Sequence, residues 1–184
     1  MSSWNWPLRL RERLARLSYH YQQALVVAHK QDVSLLRLAD QFAHRVIADC
    51  LVDSGLVVVS EEGEDLHLAV ERYWLVDPLD GTKDFLAGNG EFTANIALFD
   101  QGRPVLGVVF APAINTLYWG ADGMGAWRIR EGVAKALSTH TRPPSMLMAV
   151  SRFHDHRDVD IYVAQNGIVE PVAIGQVLDL HTGQ

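Results

Sequence analysis

The chain of 184 residues has a single cysteine, Cys50, so no disulfide can form within it, and a lone thiol fits a reducing compartment. Cys50 falls on an apolar helical face, where it reads as a core residue rather than a nucleophile. Positive charge is also short: 16 lysines and arginines stand against 22 aspartates and glutamates, for a formal net charge of −6. No basic stripe is present, which argues against nucleic acid as a bulk partner. No apolar run reaches the roughly 18 residues of a transmembrane segment. The early arginines (Arg9, Arg11, Arg13 and Arg16) are not followed by the apolar stretch of a secretory signal. A cytoplasmic location is the expectation. Internal repeats and low-complexity linkers are missing as well, while 48% apolar and 21% charged residues are ordinary for a globular domain.

Along the chain, residues 9–28 place Leu10, Leu14, Leu17, Tyr21 and Leu25 at helical spacing. This reads as a helix packed on the domain, with peripheral contact to a membrane surface as the other use of a basic amphipathic segment. A second helix is expected over 34–53, with Leu35, Leu38, Ala39, Phe42, Val46 and Cys50 as its apolar stripe, Ser34 as its N-cap and Asp40 near its buried edge. Residues 56–59 read as a buried strand delivering Ser60-Glu61-Glu62, followed by a polar connection over 63–72. Residues 73–76 read as another buried strand, running into Asp77-Pro78-Leu79-Asp80-Gly81-Thr82. A short helix over 83–87 is broken by Gly88-Asn89-Gly90. Strands over 93–99 and 104–110, then 116–119 and 126–129, form an antiparallel meander. A loop is expected over 131–145, then a strand at 146–150, a helix at 159–165 and a further segment at 170–174. The expected divisions are an N-terminal helical segment (1–30), an α+β domain for metal and phosphate (31–145) and the start of a second α/β layer (146–184).

Two carboxylate pairs, Glu61-Glu62 and Asp77/Asp80, and a glycine–threonine turn fall within the 22 residues from Glu61 to Thr82. Two strand ends side by side would gather Glu61, Asp77 and Asp80 around one or two hard divalent cations. Pro78 would hold the turn, and the Leu79 carbonyl would add a neutral oxygen. Such a donor set suits Mg²⁺ better than Zn²⁺, and free backbone N–H groups of the turn suit a phosphate. Thr82 would orient a water, with Asp40 as its partner. Asp-Pro and Asp-Gly pairs also occur in plain turns. Glu62 is equally compatible with a solvated acid, Asp40 with a surface carboxylate and Lys83 with a solvated ammonium. His140, His154 and His156 lack the spaced third ligand of a zinc site. Trp74, Trp119 and Trp127 lie in strand patterns and read as core. Ser60 has no histidine base at usable spacing.

At these residues the sequence resembles the inositol monophosphatase-like superfamily of Mg²⁺-dependent, lithium-sensitive phosphatases. The glutamate pair followed by a strand into Asp-Pro-Leu-Asp-Gly-Thr carries the likeness. Residues 74–85 (WLVDPLDGTKDF), Asn89-Gly90-Glu91-Phe92-Thr93 and Leu106-Gly107-Val108-Val109 with Ala111-Pro112 resemble most the 3′(2′),5′-bisphosphate nucleotidase branch, tied to sulfur metabolism. The resemblance implies a layered α/β sandwich of the inositol monophosphatase and fructose-1,6-bisphosphatase type. It implies Glu61, Asp77, Leu79 and Asp80 as metal ligands, and Gly81, Thr82 and Lys83, with Glu61, Leu79 and Asp80, against the substrate. Thr82 and Glu61 would orient the attacking water, Asp40 would support Thr82, and Lys30 and Asp32 would match a loop near the site. The implied activity is Mg²⁺-dependent hydrolysis of adenosine 3′,5′-bisphosphate, a small phosphorylated metabolite, to AMP and phosphate. The alternatives are inositol monophosphatase or sugar-bisphosphatase activity, or a non-catalytic homologue. Arg37 stands where the family usually has threonine. The family's later Trp-Asp segment, with a further metal ligand, is not found in this sequence, so the resemblance also implies that the second, C-terminal layer is largely missing.

Overall fold

In the computed structural model, residues 33–60, 70–139, 147–151, 157–166, 168 and 170–174 are described. The helix expected over 9–28, Lys30, Asp32, Glu61, Glu62, His140, His154 and His156 lie outside them.

The first described element, α1 (Val33–Leu51), is organised by a four-residue spacing. Ala39, Ala43, Ile47 and Leu51 form one ridge that is almost wholly buried, with Ala43 and Ile47 at 0% exposure. The ridge at Arg37, Gln41, Arg45 and Asp49 is exposed. Cys50 lies on the apolar flank with Val46, both partly buried and packed against the core. Two alanines in the buried ridge let the helix backbone come close to the sheet, since side-chain bulk sets the separation. Ser34 lies inside the helix, not at its cap as expected. Serine favours caps because its hydroxyl competes for backbone partners, but that preference is weak against tertiary packing.

A short 3₁₀ turn (Val52–Ser54) turns the chain toward the sheet, and one hydroxyl secures the turn. Ser54 Oγ donates to the Leu51 carbonyl (2.6 Å) and accepts from the Leu56 N–H (3.3 Å) and from Trp74 Nε1–H (3.0 Å). The end of α1 is thereby tied to the strand that carries the acidic cluster.

The main sheet has seven strands in sequential order. These are β1 (Val57–Ser60), β2 (Arg72–Asp80), β3 (Thr93–Asp100), β4 (Arg103–Ala111), β5 (Thr116–Ala121), β6 (Gly125–Arg130) and β7 (Val133–Leu137). β1 and β2 are parallel and all later neighbours antiparallel. The helix α2 (Thr82–Ala87) joins β2 to β3, beginning at Thr82 rather than Lys83 because Gly81 takes the N-cap position. Cross-strand register lines up the buried residues in rows on one face: Trp74, Leu98 and Leu106; then Val76, Ile96 and Val108, extended by the half-buried Trp119; then Ala94, Phe110, Leu117 and Ile129. These rows and the α1 ridge make one core. Trp74 lies in the core and Trp119 packs against it, as expected, whereas Trp127 is half-buried outside the core and stacks on Trp119 (centroids 6.1 Å apart).

Three further expectations need correction. The apolar runs at 56–59 and 73–76 are not buried strands on both faces: Val57 is 37% and Leu75 42% exposed, because α1 covers one side of the sheet only. The stretch 131–145 is not all loop, since β7 occupies Val133–Leu137. A two-residue turn at Glu131 (φ 48°) and Gly132 (φ 87°) makes this hairpin, and both positive dihedrals match the strand twist. Every residue of β7 is exposed, so no alternation of burial marked it. β5 also runs on to Ala121, two residues beyond the expected end. A separate two-stranded parallel sheet pairs β8 (Leu147–Ser151) with β9 (Glu170–Ile174), with α3 (Arg157–Asn166) between them in sequence. No described helix is long and apolar enough to cross a membrane.

Ile47→Ala should lower unfolding free energy by about 2–5 kcal/mol in denaturant titrations, because the methylenes leave a cavity between helix and sheet. Arg45→Ala, on the exposed ridge, should change it by no more than about 0.5 kcal/mol. Equal losses in the two variants would contradict the assigned packing face.

Candidate metal and phosphate site

β1 and β2 run side by side to the pair Ser60↔Val76, the residues just before Glu61 and Asp77. Beyond that point β2 changes phase. Asp77 stands opposite Asn95 and Asp80 opposite Thr93, so Pro78 and Leu79 on β2 face Ala94 alone on β3. This is a β-bulge, one extra residue on one strand. Residues three apart in a regular strand point to opposite faces. The extra residue cancels that, placing Asp77 and Asp80 opposite Asn95 and Thr93, which share a face. Burial shows the same slip: it alternates up to Asp77, and then Pro78 and Leu79 are buried in succession. Proline suits the bulge because a residue with no N–H forfeits no ladder bond there.

Local hydrogen bonds fix the acids. Asp77 Oδ1 accepts the Leu79 N–H at 3.2 Å. Asp80 Oδ2 accepts from Asn95 Nδ2 at 2.9 Å, and Thr93 Oγ1 donates to Asn95 Oδ1 at 3.1 Å. Gly81, at φ 91°, takes a left-handed conformation that strains other residues, and its carbonyl accepts the Phe85 N–H (2.9 Å) to open α2. The Thr82 hydroxyl faces the Leu79 carbonyl at 3.5 Å, a long contact. Thr82 and Lys83 are exposed, Gly81 and both aspartates half-buried. Asp40 is half-buried on α1, which packs against β2. The structure thus groups Asp77, Leu79, Asp80, Gly81, Thr82 and Lys83 at the β2–α2 junction. The Ser60 hydroxyl is buried with no hydrogen-bond partner among the described residues, so nothing there activates it as a nucleophile.

Two further acid-linked residues went unnoticed in the sequence. Asn95 carries no motif signal and is found only through β-register. Asp84, only 5% exposed, accepts from Asn89 Nδ2 at 2.7 Å, while Asn89 Oδ1 accepts the Glu91 N–H at 2.9 Å. With Phe85 packed edge-on against Phe92 (5.1 Å, 81°), this closes the 84–92 turn and anchors α2. The Gly-Asn-Gly signal located the turn but not its buried acid.

As a cation site, the donors at the junction are two carboxylates and a backbone carbonyl, all oxygen, which fits a hard divalent cation and not zinc. Among the described residues no three acidic, histidine or cysteine groups gather as a metal cluster. The third expected carboxylate, Glu61, lies outside them.

A helix-backed sheet whose bulged strand leads into a short helix is the α+β, layered architecture of the inositol monophosphatase fold. The chain belongs to the inositol monophosphatase family, which it matches over residues 10–171. It is 43% identical over 166 residues to the 3′(2′),5′-bisphosphate nucleotidase CysQ of Escherichia coli and 42% identical to that of Salmonella typhimurium. Each alignment takes in 87% of this chain and 66% of the relative, so the chain spans slightly less than two thirds of the length of these proteins. Its structure matches the CysQ of Bacteroides thetaiotaomicron with a TM-score of 0.72 at 30% identity, covering 84% of this chain and 68% of that one.

Asn89→Ala should strip the buried Asp84 of its side-chain donor and cost about 1–3 kcal/mol in unfolding free energy. A variant as stable as the parent would show that the turn does not depend on this pair.

Proposed function

We propose that this chain carries a Mg²⁺-dependent phosphomonoesterase site that removes the 3′-phosphate of adenosine 3′,5′-bisphosphate. Water adds to phosphorus, the bond to the ribose 3′-oxygen breaks, and AMP and phosphate leave. The observation that carries the reading is the β2 bulge, which turns Asp77 and Asp80 to one face beside the exposed Thr82 and Lys83. The identity to proteins named 3′(2′),5′-bisphosphate nucleotidase supports the choice of substrate.

Asp77, Asp80 and the Leu79 carbonyl would hold the cation, with Glu61 as a further carboxylate. When bound, Mg²⁺ lowers the pKa of a coordinated water and offsets charge on the phosphoryl group. The protein's own contribution is orientation. Thr82 presents its hydroxyl at the mouth of the bulge, where with Glu61 it aligns the attacking water, and Asp40 on α1 supports it. Gly81 has no side chain, so the turn backbone can approach the phosphate closely. The exposed Lys83 side chain would meet a second phosphate, and a bisphosphate supplies one.

Phosphate release from adenosine 3′,5′-bisphosphate should require Mg²⁺ and should fall by more than about 100-fold in Asp80→Asn. Loss of a group that merely supports a ligand already costs about 10–100-fold. Turnover without metal, or undiminished in Asp80→Asn, would refute the mechanism. A higher kcat/KM on inositol 1-phosphate than on the nucleotide would refute the substrate assignment.

A further inference from the structure

We infer that Asn95 is a positioning residue that holds the Asp80 carboxylate ready for a divalent cation, with Thr93 locking the amide. This rests on the metal reading of the site proposed above.

The direction of the amide follows from chemistry. An ionised carboxylate only accepts hydrogen bonds, so the group that Asn95 turns toward Asp80 Oδ2 must be its NH₂. That leaves the amide oxygen facing Thr93 Oγ1, whose hydroxyl donates to it at 3.1 Å. Thr93 is 2% exposed, so its hydroxyl is held by packing, and it fixes the amide, which in turn fixes the carboxylate.

The placement is informative. In the ladder Asn95 pairs with Asp77, yet its side chain reaches Asp80. One amide therefore spans the bulge and fixes one carboxylate relative to the backbone of the other. Asparagine is a poor strand former, and β3 is an interior strand between β2 and β4. Nothing in sheet building calls for it there. A neutral donor also serves the site better than lysine or arginine would: it orients Asp80 while leaving the negative charge that attracts a cation. Restricting the carboxylate beforehand removes ordering entropy from the binding step.

The test is titration with Mn²⁺ alone, following free Mn²⁺ by electron paramagnetic resonance, on the full chain and on Asn95→Leu and Thr93→Val. Leucine keeps the branched shape of asparagine without its polar atoms, and valine keeps that of threonine without the hydroxyl. Asn95→Leu should weaken Mn²⁺ binding by about 10–100-fold, and Thr93→Val by about 10-fold, with binding stoichiometry and melting temperature unchanged. If Asn95→Leu does not fold, Thr93→Val alone decides. Parent-like affinity in the folded variants would overturn the role of Asn95 while leaving the metal site intact. Absence of Mn²⁺ binding by the unsubstituted chain would overturn the metal reading, and this inference with it.

Discussion

Between Asp77 and Asp80 the β2–β3 ladder accepts one residue too many, and the proposed site depends on that slip. A regular strand would send these acids to opposite faces, one into the core against α1, where an unpaired carboxylate is strongly disfavoured. The bulge instead spends the inward positions on Pro78 and Leu79, which are buried, and turns both carboxylates the other way. Burial and site formation are thus the same event. The apolar residues between the acids pack into the core because the acids themselves cannot.

A bulge defines a geometry only if the ladder on either side of it holds register. Here the rows of buried side chains from β2 to β6 do that, since a one-residue shift would turn the whole apolar set outward. The α1 ridge closes the same core from one side, and Ser54 joins the end of that helix to Trp74 on β2. On the far side of the bulge, the turn built on Asp84 and Asn89 holds α2. The acids are therefore suspended between two anchored elements, with Asp77 bonded to the Leu79 N–H and Asp80 to Asn95.

Much of this is legible in the sequence, for reasons that differ by element. The α1 helix shows because apolar residues recur at helical spacing, although its buried ridge is Ala39, Ala43, Ile47 and Leu51 while the expected stripe members Leu38 and Phe42 are exposed. The β3–β4 hairpin shows because apolar runs flank a polar turn. The acidic cluster shows because Asp-Pro-Leu-Asp-Gly-Thr combines turn chemistry with paired carboxylates. What escaped was set by pairing across the sheet. The run at 73–76 looks buried throughout, yet Leu75 is on the uncovered face, a fact settled by where α1 packs. β7 has no buried face to imprint a period. Asn95 becomes recognisable only once register places it opposite Asp77 and in reach of Asp80. The sequence named the acids, but not the bulge that aims them.

The most direct measurement is anomalous diffraction from crystals of the chain grown with Mn²⁺. The account predicts a single strong peak at the β2–α2 junction, with oxygens of Asp77, Asp80 and the Leu79 carbonyl within about 2.3 Å of it. A peak elsewhere, or none at Mn²⁺ concentrations that support turnover, would contradict the claim that the bulge exists to present a cation site.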